Sequence, residues 1–230
     1  MGDKTKRLFA PLFADRFEDR PMMTIKKLLL PLLSAVLLLA APAYASTEAE
    51  SYVGDRANRV IETLNDPELD RSQRTAQFNT YMDEFTDMRV IARIALGSYA
   101  RTFSADEFET YSIAFRDYAL AVYEGQLDAY RGERVEVVGS TERPGGIVEV
   151  ETRIIGAAAA NGDLPVKWRV VERGGRWKVF DVEVFGLWLG VEQKAQFESI
   201  LDRSNGDIGP LLERIQSMTV SLRSQADQRG

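Results

Sequence analysis

The apolar periodicity of this 230-residue chain switches once from helical to alternating, at Gly132, and this switch constrains the architecture more than any other feature. Ahead of it, apolar residues recur every three or four positions; behind it, as far as Val184, they alternate with polar ones as half-buried strands do. After Gly186 the helical period returns. Helices, then strands, then helices in blocks read as an α+β fold, with about six helices packing a curved antiparallel sheet of about four strands.

The first amphipathic helix carries Val53, Ala57, Val60, Ile61 and Leu64 and stops at Asn65-Asp66-Pro67. A second, over Ser72 to Phe85, presents Phe78, Tyr81, Met82 and Phe85. Asp87 fits the N-cap of a short third helix with Val90, Ile91 and Ile94, closed by Gly97 at a left-handed C-cap. Ser104-Ala105-Asp106-Glu107 is a capping box that starts the main helix. Its stripe of Phe108, Tyr111, Phe115, Ala119, Val122, Tyr123, Leu127 and Tyr130 is strongly aromatic.

The strands are marked by Val135 and Val137; by Val148, Val150, Thr152 and Ile154; by Leu164, Val166, Trp168 and Val170; and by Trp177 and Val179. Pro144-Gly145-Gly146, Asn161-Gly162-Asp163 and Gly174-Gly175 supply the reversals for antiparallel pairing. The opposite, wet face bears Glu149, Glu151, Arg153, Lys167 and Arg169. In the last strand the apolar phase slips from Trp177/Val179 to Phe180/Val182/Val184, which a bulge or bend near Asp181 explains and which would curl the sheet into a cup. Two further helical patterns follow, one with Phe197, Ile200 and Leu201, the other with Ile208, Leu211, Leu212 and Ile215. The polar stretch from Ser217 onward is expected to fray, leaving residues 219–230 a flexible tail.

Met23-Thr24-Ile25-Lys26-Lys27, the apolar run Leu28 to Ala41 and Ala43-Tyr44-Ala45 have the three parts of a secretory signal peptide, expected over residues 23–45 and cut before Ser46. The run is 14 residues long and contains Pro31, whereas a spanning helix needs roughly 20 apolar residues. Residues 1–22 read as an extension from a start codon placed too early, and residues 46–218 as the folded domain. Setting aside the 7 Lys/Arg and 4 Asp/Glu ahead of Ser46 leaves 22 against 31, a formal charge of −9. This acidity disfavours nucleic acid and anionic membrane surfaces as partners. The chain has no cysteine and no histidine, so it holds no disulfide, no acceptor for thioether lipidation, no Ser-His-Asp or Cys-His pair and no His-based zinc site. No cofactor is expected.

The order of elements and several residue runs resemble the periplasmic phospholipid-binding component of the outer-membrane lipid-asymmetry ABC transport system, the toluene-tolerance family. The runs are Phe85 to Gly97, Phe115 with Tyr123 to Tyr130, Trp177-Lys178-Val179-Phe180-Asp181-Val182, and Gly186-Leu187-Trp188-Leu189 leading to Gln196-Phe197. The likeness spans Glu48 to Met218. Two departures stand out: Trp188 where the family usually has Ser, and Gln193-Lys194 where it usually has Tyr-Arg. They leave room for a specialised branch, such as the members associated with hopanoid biosynthesis.

The resemblance implies a deep apolar cavity that takes up the acyl chains of a phospholipid and leaves the headgroup in water. It also implies a periplasmic carrier that is not an enzyme, working between an inner-membrane ABC transporter complex and an outer-membrane lipoprotein complex. The residues expected to line the cavity are Val150, Ile154, Trp168, Val170 and Val184 on the strands, faced by Phe85, Ile94, Phe115, Tyr123, Tyr130 and Leu187. Three other readings compete. The same apolar content fits a closed, dry core or an interaction domain without a ligand. A curved sheet with a helix-lined cone also hosts proton-transfer isomerases, for which Asp181, set among Val179, Phe180 and Val182, is the candidate general base. At a phase slip, however, a carboxylate also serves to satisfy backbone donors or an arginine.

Overall fold

A computed structural model of the chain describes residues 46–124, 133–156, 164–184 and 186–228. The signal-peptide reading, Tyr130 and the Asn161-Gly162-Asp163 turn lie outside those residues. The elements are α1 (Thr47–Asn65), α2 (Arg71–Phe85), α3 (Met88–Leu96), a 3₁₀ turn (Gly97–Arg101) and α4 (Ala105–Glu124). A sheet follows with β1 (Arg134–Arg143), β2 (Ile147–Ile155), β3 (Leu164–Arg173), β4 (Arg176–Val184) and β5 (Leu187–Trp188), then α5 (Leu189–Arg203) and α6 (Gly209–Asp227). The strands form one antiparallel meander in chain order, with the two-residue β5 added to the expected four.

Local signals place the helix ends. Asp70 and Gln73 make a reciprocal capping box at α2. Ser104 and Glu107 do the same at α4, the Glu107 N–H donating to Ser104 Oγ at 3.2 Å and the Ser104 N–H to the Glu107 carboxylate at 2.8 Å. Asp87 accepts the Val90 N–H at 3.1 Å. Gly97 ends α3 at φ 57°, and a Cβ there would lie 2.0 Å from the Glu198 carboxylate, which receives the Ser98 N–H. Only glycine fits both the backbone angle and the approach.

In the sheet, Gly174 and Gly175 both adopt positive φ, as a two-residue reversal between β3 and β4 requires. The β3–β4 register pairs Arg169 with Asp181 and Val170 with Val179, so Phe180 is the extra residue of a bulge. Inward positions on β2 and β3 alternate as expected, while Glu149, Lys167 and Arg169 face outward. Val137 is 37% exposed despite its inward phase, because β1 is an edge strand whose register shifts just beyond it. Asn58 on α1 engages this edge: its side-chain amide donates to the Val135 carbonyl at 2.9 Å and accepts the Val135 N–H at 2.8 Å. One side chain thus makes the hydrogen bonds of a neighbouring strand residue and binds α1 to the sheet.

The interior has two parts. In the rear part, away from the sheet, α3 to α6 enclose an aromatic cluster to which no described strand residue contributes and in which Phe197 meets Tyr111 and Phe115 edge-on at 6.1 and 6.2 Å. In front, α1 lays Ala49 and Val53 against Val148, Val150, Val170 and Val179. The stretch expected to fray beyond Met218 continues as helix to Asp227. There Ala226 is buried, its carbonyl accepts from Arg71 at 2.7 Å, and Arg223 pairs with Glu124. These attachments come from α2 and α4, which local polarity does not reveal.

Candidate functional site

Between α1, α2 and the concave face of the sheet lies a cavity of about 180 Å³. From α1 come Val53, Arg56, Ala57, Val60, Ile61 and Leu64; from α2 come Phe78, Met82 and Phe85, followed by Thr86. The sheet contributes Val135, Ile154, Val166, Trp168, Val179, Val182 and Val184, and Tyr123 and Leu189 complete the wall. Such a cavity exceeds the roughly 150 Å³ apolar void that stays dry and binds benzene in an engineered protein. Its polar wall groups are mostly occupied by the protein itself. The Trp168 indole N–H donates to the Thr152 hydroxyl at 2.8 Å, and the Thr86 hydroxyl to the Met82 carbonyl at 2.5 Å.

Of the residues expected to line a cavity, Phe85, Tyr123, Ile154, Trp168 and Val184 meet on this wall. Val150 and Val170 are fully buried one step away, packed under Ala49 and Val53. Leu187 packs beside Val184 and Leu164 at the end of the sheet. Phe115 belongs to the aromatic cluster among α3 to α6, and Ile94 is half-buried on α3, whose carbonyl there accepts the Gly97 N–H. The expected set lacks every lining residue of α1, Phe78 and Met82 of α2, Thr86, and Val135, Val166, Val179, Val182 and Leu189. The stripe Val53/Ala57/Val60/Ile61/Leu64 marks a buried helix face, but periodicity does not say what that face covers. One local sign was present: Arg56 interrupts the stripe at a position where burial calls for an apolar residue.

Asp181 faces away from the cavity, on the outer side of the bulge. Its carboxylate accepts the N–H of Val182 at 2.9 Å and of Gly190 at 3.0 Å, with Arg169 at 3.4 Å. Burial pushes its pKa up, while the two backbone donors and Arg169 pull it down without cancelling the rise. This is the structural role that a carboxylate at a phase slip takes, and it ties β4 to the first turn of α5. Arg169 also pairs with Glu149 at 3.1 Å and lies 3.6 Å over the Trp188 ring, so the unusual Trp188 covers an ion-pair chain on the outer face. Burial works against the charge on Glu149 too, but hydrogen bonds from Arg143 and Arg169 outweigh it and its pKa falls. The unusual Gln193 is buried against α4, where its Oε1 accepts the Tyr118 hydroxyl at 3.3 Å.

The family model described as MlaC protein matches residues 55–217. Among curated proteins, the intermembrane phospholipid transport system binding protein MlaC of Haemophilus influenzae is 25% identical over 122 residues. That alignment covers 47% of this chain and 56% of that protein, so the chain spans just over half of the relative's length. Among solved structures, a phospholipid-binding protein from Ralstonia solanacearum, in complex with a phospholipid, has the same fold. Its TM-score is 0.67 and its identity 22%, over 76% of this chain and 98% of that one. With cap signals, meander, bulge and helical layers in the expected order, and a family match across most of its length, this chain belongs to the MlaC family.

Proposed function

We propose that this protein is a periplasmic carrier that holds the acyl chains of a phospholipid between α1, α2 and the sheet. On this reading it passes the lipid between an inner-membrane ABC transporter complex and an outer-membrane lipoprotein complex, and catalyses no reaction. The observation that carries the reading is the cavity, whose wall among the described residues is almost wholly apolar and has one charged residue. The Haemophilus relative named for phospholipid transport and the Ralstonia neighbour complexed with a phospholipid support it. Among the described residues no helix is long and apolar enough to cross a membrane.

The energetics explain why a carrier is needed. At about 0.8 kcal/mol per methylene, two chains with roughly 30 methylenes are held in a bilayer by more than about 20 kcal/mol, so unaided crossing of water is negligible. The cavity must therefore offer comparable burial. Native mass spectrometry of protein taken from its own periplasm, followed by lipid extraction, tests the proposal. The expected species is a chain beginning at Ser46 with one phospholipid bound. Protein that carries no lipid and takes none from vesicles would overturn the reading.

A further inference from the structure

Among the described residues, Arg56 is the one charged side chain on the cavity wall. Its guanidinium carbon lies 5.2 Å from the centre of the Phe85 ring and 5.8 Å from that of Tyr52. The Tyr52 hydroxyl donates to the Phe85 carbonyl at 2.9 Å, which ties the two rings' elements together. One turn along α1, Arg59 sits 5.1 Å over the Tyr81 ring. Tyr81 in turn stacks on Phe85, with centroids 5.4 Å apart and planes 6° from parallel. Two cations therefore lie over a stacked aromatic pair, Arg56 and Phe85 on the cavity wall and the exposed Arg59 over Tyr81 beside it.

Among the described residues neither guanidinium has a carboxylate within ion-pair distance, although Arg116, Arg143, Arg169 and Arg223 each have one. Like charges three residues apart on a helix repel, and a half-buried cation beside apolar surface loses solvation. Ring contacts offset part of that cost. They do not satisfy the five N–H donors of a guanidinium, whose planar fork matches phosphate oxygens. Since the chain after Ser46 carries a formal −9, an anionic ligand must be drawn by a local group and not by the overall field.

We propose that Arg56, with Arg59 beside it, recognises the phosphate of the lipid and makes the carrier selective for phosphodiester lipids over uncharged lipids with the same chains. The proposal rests on the carrier reading above and names the residues that set its selectivity. An uncharged polycyclic lipid would leave these donors unsatisfied, so the selectivity separates a phospholipid carrier from a hopanoid carrier.

The test is a competition on delipidated mature protein between phosphatidylglycerol and diacylglycerol with identical acyl chains, followed by fluorescence, at two ionic strengths. Wild type should prefer phosphatidylglycerol by roughly 10- to 100-fold, the range of a charge-assisted hydrogen-bonded pair, and the preference should shrink with salt. In the Arg56→Gln/Arg59→Gln variant the ratio should fall towards one, with a cooperative melt checking the fold. Arg56→Lys should keep part of it, having the charge without the fork. A wild type without preference, or a double variant that retains it, would overturn the proposal. Inorganic phosphate is the control for a free anion. If it perturbs the Arg56 guanidinium resonance while the lipids stay undiscriminated, the site binds phosphate and not a headgroup. If wild type takes up neither lipid, the carrier reading falls and this proposal with it.

Discussion

The aromatic cluster among α3 to α6 and the apolar space between α1, α2 and the sheet share Tyr123 as a common wall, yet one is filled and the other encloses a cavity. Both draw on apolar residues at regular spacing. In the cluster, helix packs on helix, and large rings such as Tyr111, Phe115 and Phe197 reach across the groove to fill it edge-on. In front, α1 lies over a sheet whose β4 carries the bulge at Phe180. The inward strand residues Val166, Val179, Val182 and Val184 are short, and Ala57 faces them from α1. Short side chains on a concave surface cannot reach a cylinder laid across it. Filling is thus decided by side-chain reach against backbone curvature, not by hydrophobicity.

Phe197→Ala should give the largest effect on stability. In a close-packed cluster it removes two aromatic contacts and leaves a void, at a cost of about 3–5 kcal/mol. Urea unfolding measures it, and a cost under about 1 kcal/mol would break the contrast by showing the cluster to be loose.

A pair of tryptophan insertions sharpens the contrast further. Val170 is fully buried beneath Ala49 and Val53, so Val170→Trp should overpack and cost about 1–3 kcal/mol. Val182 lines the cavity, so Val182→Trp has room to enter. It should keep most of its stability while losing co-purifying lipid. The comparison needs delipidated proteins, because bound lipid itself raises the melting temperature. Equal destabilisation by the two insertions would mean that the front space closes like the rear.

Extremes of pH address the two regions separately. Burial pushes the Tyr118 hydroxyl up to about 12, with Arg214 opposing, and pushes Tyr111 higher still. A raised phenol favours the neutral form in the folded state, so its stability contribution is complete below the unfolded pKa near 10 and is lost as pH rises through the folded value. By pH 11 each should have cost the rear cluster about 1 kcal/mol, and Tyr118→Phe should remove its share from the alkaline unfolding profile.

The smallest expected effect is on the sheet side in acid. Asp181, its pKa raised by burial, contributes stability that is full below the unfolded value and declines as pH rises through the folded one. Glu149, held low by its arginines, runs the opposite way, contributing above the unfolded value and losing it as pH falls. The stability difference between wild type and Asp181→Asn should therefore decrease from about pH 4 upward. A difference that grows with pH would show that the donors to Asp181 outweigh its desolvation.

Much of the framework was readable because its signals are local. The Ser104/Glu107 box, the Asp87 cap and the glycine pair at β3–β4 act within four residues of themselves. The phase slip near Asp181 gave the bulge to within one residue, since a period of two registers a single insertion immediately. Most of the cavity wall was not readable as such. Phe115 and Tyr123 share one helical stripe, yet Phe115 turns into the rear cluster and Tyr123 borders the front cavity. The Asn58 clamp on Val135 joins residues 77 apart, and nothing in the run around Asn58 announces it.

The amino-acid sequence by itself determined the order of helices and strands, the inward strand residues apart from Val137 and Phe180, the bulge in the last long strand and the lack of His and Cys chemistry. Each of these depends on residue type and on spacing along a few turns or pleats. Tertiary structure alone decided which buried faces meet, where they fail to touch, and that Arg56 stands beside the resulting cavity. Periodicity reports that a face leaves water; the reach of its side chains across a curved sheet decides whether another face fills the space.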